Sequence, residues 1–142
     1  MKAKSTSTWT GTWKEGNGRI SGESGYPKDA PYTFSSRFEG TEGASPEELF
    51  ASAHAGCFNQ ALANNFGMNS LVAESIETKV EVEFGYGDDG TPTIFGSHIS
   101  VIAKVPGASE EIFSKCAERA SQRCTISKIL RCEITLDATL RT

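Results

Sequence analysis

The chain has 142 residues, with 14 Lys and Arg against 18 Asp and Glu for a formal net charge of −4, and a pI near 5.2. That length suits a single domain, 1–142, and the acidic balance lacks the basic face that nucleic-acid binders carry, so no nucleic-acid partner is expected. No run of about 18 apolar residues is present and Met1 to Gly11 lacks the apolar core of a signal peptide, so a cytoplasmic protein without a membrane partner is expected.

Residues 7–38 read as three short strands. Thr8, Thr10 and Thr12 alternate with Trp9, Gly11 and Trp13; a second run spans Arg19 to Gly25; a third spans Tyr32 to Phe38 after Pro27 and Pro31. Residues 45–66 form the strongest helix signal. Ser45 suits the N-cap, Pro46 the first helical position and Glu48 the capping box, and Gly67 suits the C-cap. Leu49, Phe50, Ala53, Cys57, Phe58, Ala61, Leu62 and Phe66 recur at helical spacing. The stretch Ala51 to Cys57 is built of small residues, which predicts a central helix open to close approach.

From Ile76 to Phe84 the period becomes two, with Glu77, Lys79, Glu81 and Glu83 on the outer face. A turn over 85–90 leads to a strand from Thr93 to Val105. Residues 109–122 read as a helix with Glu110 and Glu111 at its positive end, 124–130 as a helical turn, and Cys132 to Leu140 as a final strand. The order βββ-α-ββ-α-β is that of a mixed α+β domain.

Four cysteines in a reducing compartment are expected to be catalytic, metal-binding or buried. Cys132 falls on the apolar face of a strand and Cys116 inside the second helix, and both suit packing. Their spacings, eight residues apart around Cys124 and 59 back to Cys57, lack the close pairs of zinc sites. Locally, Cys57 reads as a small helical hydrophobe. Cys124 stands beside Arg123 at a turn, where backbone N–H groups favour a thiolate. His54 is a helical neighbour of Cys57, geometrically suited to a Cys/His pair, although a packed, hydrogen-bonded histidine is the commoner arrangement. His98 has no such neighbour.

The run Arg37-Phe38-Glu39-Gly40, followed by Gly43-Ala44-Ser45-Pro46-Glu47-Glu48-Leu49-Phe50-Ala51-Ser52-Ala53-His54-Ala55-Gly56-Cys57-Phe58, resembles the signature of the OsmC/Ohr family. These are the osmotically inducible and organic hydroperoxide resistance proteins. A second block, Cys124-Thr125-Ile126-Ser127 through Asp137, is similar to the family's second-cysteine region, so the resemblance covers nearly the whole chain. The OsmC branch fits better, with Arg37 in the third strand and a helix reading Ala-His-Ala-Gly-Cys-Phe; the Ohr branch takes its arginine from an earlier loop, where Arg19 is the only candidate. One departure is Thr125, where members often carry proline.

The resemblance implies an OsmC-like fold of antiparallel sheets around two central helices, in an intertwined homodimer. It implies Cys57 as peroxidatic thiol, Cys124 as resolving thiol, and Arg37 and Glu47 as the pair that organises the site. A thiolate attacks a peroxide oxygen, Cys57 becomes a sulfenic acid, Cys124 condenses with it to a disulfide, and an external dithiol, with a lipoylated protein as one candidate, reduces that disulfide. Organic hydroperoxides and hydrogen peroxide are the implied substrates, and no metal, flavin or haem is needed. Phe34, Phe38, Phe50 and Phe58 are candidates to line an apolar pocket. Glu47 and Cys57 are ten residues apart on one predicted helix, ~15 Å of rise, so a straight helix calls for a second chain to complete the site. The alternative is a non-catalytic redox sensor or binding protein of the same fold, which steady-state peroxide consumption with a dithiol would separate.

Overall fold

The computed structural model describes residues 1–142. It contains two compact units, Met1–Leu49 and Phe50–Thr142.

In the first unit, β1 (Ser5–Thr10), β2 (Asn17–Gly22) and β3 (Ala30–Thr33) form an antiparallel sheet in sequential order. The strand expected through Phe38 stops at Thr33, and Phe34–Phe38 is a short helix, α1. The cause is local. Ser36 N–H donates to Thr33 Oγ1 at 3.0 Å, and Thr33 N–H donates to Ser36 Oγ at 2.8 Å. This reciprocal capping box turns the chain before its aromatic residues can extend a strand. Trp13, Phe34 and Phe38 then pack ring against ring at 4.9 to 6.3 Å, as edge-on and tilted pairs favoured by their quadrupoles. Every residue of β1 is exposed.

The second unit holds most of α2 (Pro46–Met68), then β4 (Ser75–Tyr86), β5 (Pro92–Lys104), α3 (Glu110–Arg123), a 3₁₀ turn (Ser127–Ile129) and β6 (Glu133–Arg141). The sheet order is β4-β5-β6; β4 pairs antiparallel with β5, whereas β6 pairs parallel with it. That parallel pair departs from the all-antiparallel expectation. A parallel neighbour needs a long crossover, and 105–132 supplies one that contains α3. Cys132 precedes β6 and is half-buried, not part of the strand.

The core of this unit joins Phe58, Leu62 and Phe66 of α2, Ile99, Val101 and Ala103 of β5, and Phe113, Cys116, Ala117 and Ala120 of α3. Phe66 and Phe113 stack at 6.1 Å. Along α2 the buried row is His54, Phe58, Leu62, Asn65 and Phe66, at the expected helical spacing. Ser52, Ala53, Gly56 and Ala63, small residues, lie with Gln60 on the exposed side of α2. The helix also runs past Gly67. Ser70, at φ 56°, takes the left-handed position. Leu71 N–H donates to Phe66 O and Ser70 N–H to Gly67 O, a Schellman closure one turn later than the glycine suggested.

Candidate functional site

Arg37 sits in the last turn of α1, and Glu47 in the first turn of α2. The link between them is short and tightly folded. Ser36 Oγ donates to Ala44 O at 2.8 Å, and Ala44 N–H donates to Pro31 O. Gly43 adopts φ 135°, and a Cβ there would stand 2.9 Å from Ser36 Cβ, so a side chain would be strained and obstructed. This fold brings Arg37 onto Glu47. Arg37 Nε donates to both carboxylate oxygens at 2.9 and 3.1 Å, and Nη2 donates to Oε1 at 2.6 Å.

Glu47 is 6% exposed. Burial alone would raise its pKa above the ordinary 4.5. The hydrogen bonds from Arg37, its own backbone N–H and Ser45, together with the Arg37 charge, outweigh this and hold it lower. Ser45 also departs from a simple cap. Its hydroxyl donates to Glu47 Oε2 at 2.9 Å, while the capping contact from Glu48 N–H is long at 3.4 Å. The first turn of α2 therefore serves the carboxylate as much as the helix end.

Arg37 lines an apolar pocket of about 320 Å³ with Trp9, Trp13, Tyr32, Thr33, Phe34 and Phe38. Phe34 and Phe38 were legible candidates for such a wall. Phe58 is excluded from it, being wholly buried in the second unit's core. Phe50 lies beside His54, with ring centroids 6.3 Å apart. Both tryptophans were missed as lining; their alternation with threonine marked a strand but not which rings would meet α1. Arg19 pairs with Asp29 on the surface.

All four cysteines are free thiols. Cys57 is half-buried on α2, and Cys124, 3% exposed, ends α3. The sulfur of Cys124 meets the turn that follows it, as its sequence position suggests. Ser127 N–H donates to Sγ at 3.4 Å, and Ser127 Oγ lies 3.0 Å from Sγ. The same Ser127 Oγ is 2.8 Å from His54 Nε2, and Ser97 Oγ is 2.8 Å from His54 Nδ1. His54 is thus hydrogen-bonded to two serines and makes no pair with Cys57. It lies three residues before Cys57 on α2, so Cys124 is two hydrogen bonds from the helical turn that precedes Cys57. Burial pushes the His54 pKa below 6.5, which keeps the imidazole neutral. Cys116 is buried in the core, with Asn69 Nδ2 donating to its sulfur at 3.5 Å. Desolvation raises its pKa, although Arg119 opposes this. His98 bonds Thr135 and Asp137 on the sheet surface. No group of three or more His, Cys, Asp or Glu side chains is disposed to hold a metal ion, and no helix is long and apolar enough to cross a membrane.

The fold is a mixed α+β architecture with an arginine on a buried carboxylate in one unit and free thiols in the other. Residues 39–139 match the model of the OsmC-like protein family. The chain is 38% identical over 138 residues to Peroxiredoxin OsmC of Escherichia coli, covering 97% of this chain and 96% of that protein. The OsmC-like protein of Mycoplasma pneumoniae superposes with a TM-score of 0.77 at 13% identity, over 100% of this chain and 99% of that one. The organic hydroperoxide resistance protein OhrB of Bacillus subtilis superposes at 0.70 and 22% identity, covering 99% and 98%. The chain belongs to the OsmC-like protein family.

Proposed function

We propose that this protein is a thiol peroxidase that reduces organic hydroperoxides, and hydrogen peroxide as well, through a Cys57 sulfenic acid and a Cys57–Cys124 disulfide. The observation that carries the reading is Arg37, a cation held by buried Glu47 at the wall of an aromatic pocket. An alkyl hydroperoxide has a polar O–O head and an apolar tail. Glu47 engages Nε and Nη2, which leaves Nη1 of the fork for the peroxide oxygens, while the aromatic rings take the tail. The kinship with a peroxiredoxin and the matching motif support Cys57 as the attacking thiol. The link from Cys124 through Ser127 to the α2 turn before Cys57 supports Cys124 as its resolving partner.

The Cys57 thiolate attacks the distal oxygen, the O–O bond breaks, and the alcohol leaves after protonation. Cys124 then displaces the sulfenic hydroxyl, giving the disulfide and water. An external dithiol returns both thiols by exchange, and a lipoylated protein is a candidate. A reducing cytoplasm suits that last step.

Glu47 and Cys57 share the unbroken helix α2 at ten residues' separation, ~15 Å of rise. The exposed side of α2 and the fully exposed β1, with Trp13 at 52% exposure, are surfaces a second copy would cover. We therefore read the active form as an intertwined homodimer, each 1–142 chain one peroxidase domain, in which Arg37 of one copy serves Cys57 of the other.

The test is peptide mapping by mass spectrometry after one equivalent of cumene hydroperoxide. A Cys57–Cys124 disulfide, absent in Cys57→Ser, is the expected result. Free thiols throughout, or a Cys116–Cys132 bridge, would defeat the mechanism.

A further inference from the structure

We propose that Ser127 and His54 form a proton relay that deprotonates Cys124 for its attack on the Cys57 sulfenic acid. This rests on the two-cysteine reading above and deepens it.

A core position is normally apolar, and Ser97 breaks the buried row Ser97, Ile99, Val101, Ala103 of β5. His54 likewise interrupts the buried row of α2 that continues with Phe58 and Leu62. Ser97 is 1% exposed, His54 0% and Ser127 5%. Burying such groups is costly unless they bond one another, and here they do, in one continuous row that ends on a thiol. Packing alone requires neither the imidazole nor the thiol at its end.

The row also has the chemistry of a relay. Ser127 Oγ lies between a nitrogen base and a sulfur acid, at 2.8 and 3.0 Å. With Nδ1–H donating to Ser97 Oγ, Nε2 offers its lone pair to the Ser127 hydroxyl. Burial keeps the ring neutral and so able to accept.

The step balances. The Cys124 S–H proton passes to Ser127 Oγ as the Ser127 hydroxyl proton passes to His54 Nε2. The resulting thiolate accepts hydrogen bonds from the Ser127 hydroxyl and the Ser127 backbone N–H. It attacks the Cys57 sulfur, the S–S bond forms and the S–O bond breaks. The imidazolium proton returns through the Ser127 hydroxyl, the departing hydroxide is protonated and leaves as water, and His54 is neutral again. No oxidant beyond the peroxide already consumed is required. His54 lies three residues before Cys57 on α2, with its two ring nitrogens on Ser97 and Ser127. Ser127 touches a reacting sulfur, and His54 acts through it as a positioning and proton-holding residue.

The test is single-turnover rapid quench with cumene hydroperoxide, following dimedone-trapped Cys57 sulfenic acid and the Cys57–Cys124 disulfide separately. Ser127→Ala cuts the relay, and His54→Gln keeps a hydrogen-bonding group that does not take the proton. Both are expected to slow disulfide formation about tenfold or more, while the preceding Cys57 oxidation keeps its rate and reports an intact fold. The double variant is expected to be no slower than either single one, because the residues act as one unit. Ser127→Thr, which keeps the hydroxyl, restores resolution. Disulfide formation within about twofold of the unsubstituted rate in Ser127→Ala and His54→Gln overturns the relay. So does a Thr variant as slow as the Ala one, or an equal slowing of both steps, which marks a structural role. Those outcomes defeat the relay alone. A protein that forms no Cys57–Cys124 disulfide at all defeats the two-cysteine reading and the relay with it.

Discussion

Glu47 is a carboxylate almost out of water that stays ionised because Arg37, Ser45 and a backbone N–H all donate to it. Its pKa is lower folded than unfolded, so its contribution to stability is present above about pH 4.5 and is lost as pH falls through the folded value. Urea titrations should show this as a stability decline on the acid side. Glu47→Gln should flatten that decline and cost about 1–3 kcal/mol at pH 7, since the charge-assisted bonds from a half-buried guanidinium are replaced by weaker ones. A variant whose acid limb matches that of the unsubstituted protein would show that the pair is energetically idle. At this scale the sequence singled out candidate residues but said less about what they touch. Arg37, Glu47, Cys57 and Cys124 stand out through family resemblance. Ser97 and Ser127 do not, because an isolated serine in a strand or turn looks the same whether it faces water or a buried histidine.

Among the elements, α2 illustrates how local signals compete. Gly67 is the obvious stop, yet the Schellman bonds close on Ser70, three residues on. Gly67 is therefore inside the helix, with open space where a Cβ would go. Gly67→Ala should stabilise the protein by about 0.5–1 kcal/mol, from helix propensity and a less free unfolded chain. Ser70→Gly should gain about as much by relieving a non-glycine left-handed residue. Chemical denaturation measures both, and a destabilised Gly67→Ala would mean that the helix ends at the glycine after all. The segment Phe34–Phe38 failed the sequence reading for a related reason. Its aromatic residues favour a strand, but the Thr33–Ser36 box supplies two hydrogen bonds that a strand cannot use. In β4 the alternation from Ile76 to Phe84 left no such competition, and the strand lies where that pattern put it, running on through Gly85 and Tyr86 after a register shift at Glu83/Phe84.

For the whole molecule, the decisive prediction concerns two copies. Arg37→Ala and Cys57→Ser homodimers should each be inactive, because each lacks one half of every site. Mixed, unfolded and refolded together at equal amounts, they should recover roughly a quarter of the unsubstituted peroxidase activity. Half of the dimers are then heterodimers, and each has one site with both residues intact. A mixture as inactive as its components would show that Arg37 and Cys57 act within one chain, or not together.

The sequence by itself determined the order of the longer elements though not α1, the Phe58, Leu62 and Phe66 part of the buried row of α2, the alternation of the long strands and the family, because these depend on periodicity and on motifs contiguous in the chain. Only the tertiary structure decided that β6 joins β5 in parallel, that Trp9 and Trp13 wall the Arg37 pocket, and that Ser97, His54, Ser127 and Cys124 form one row. Those pairings join residues up to 73 positions apart. A hydrogen bond across that distance leaves no local pattern, since it is set by which faces the packed helices and strands turn toward each other.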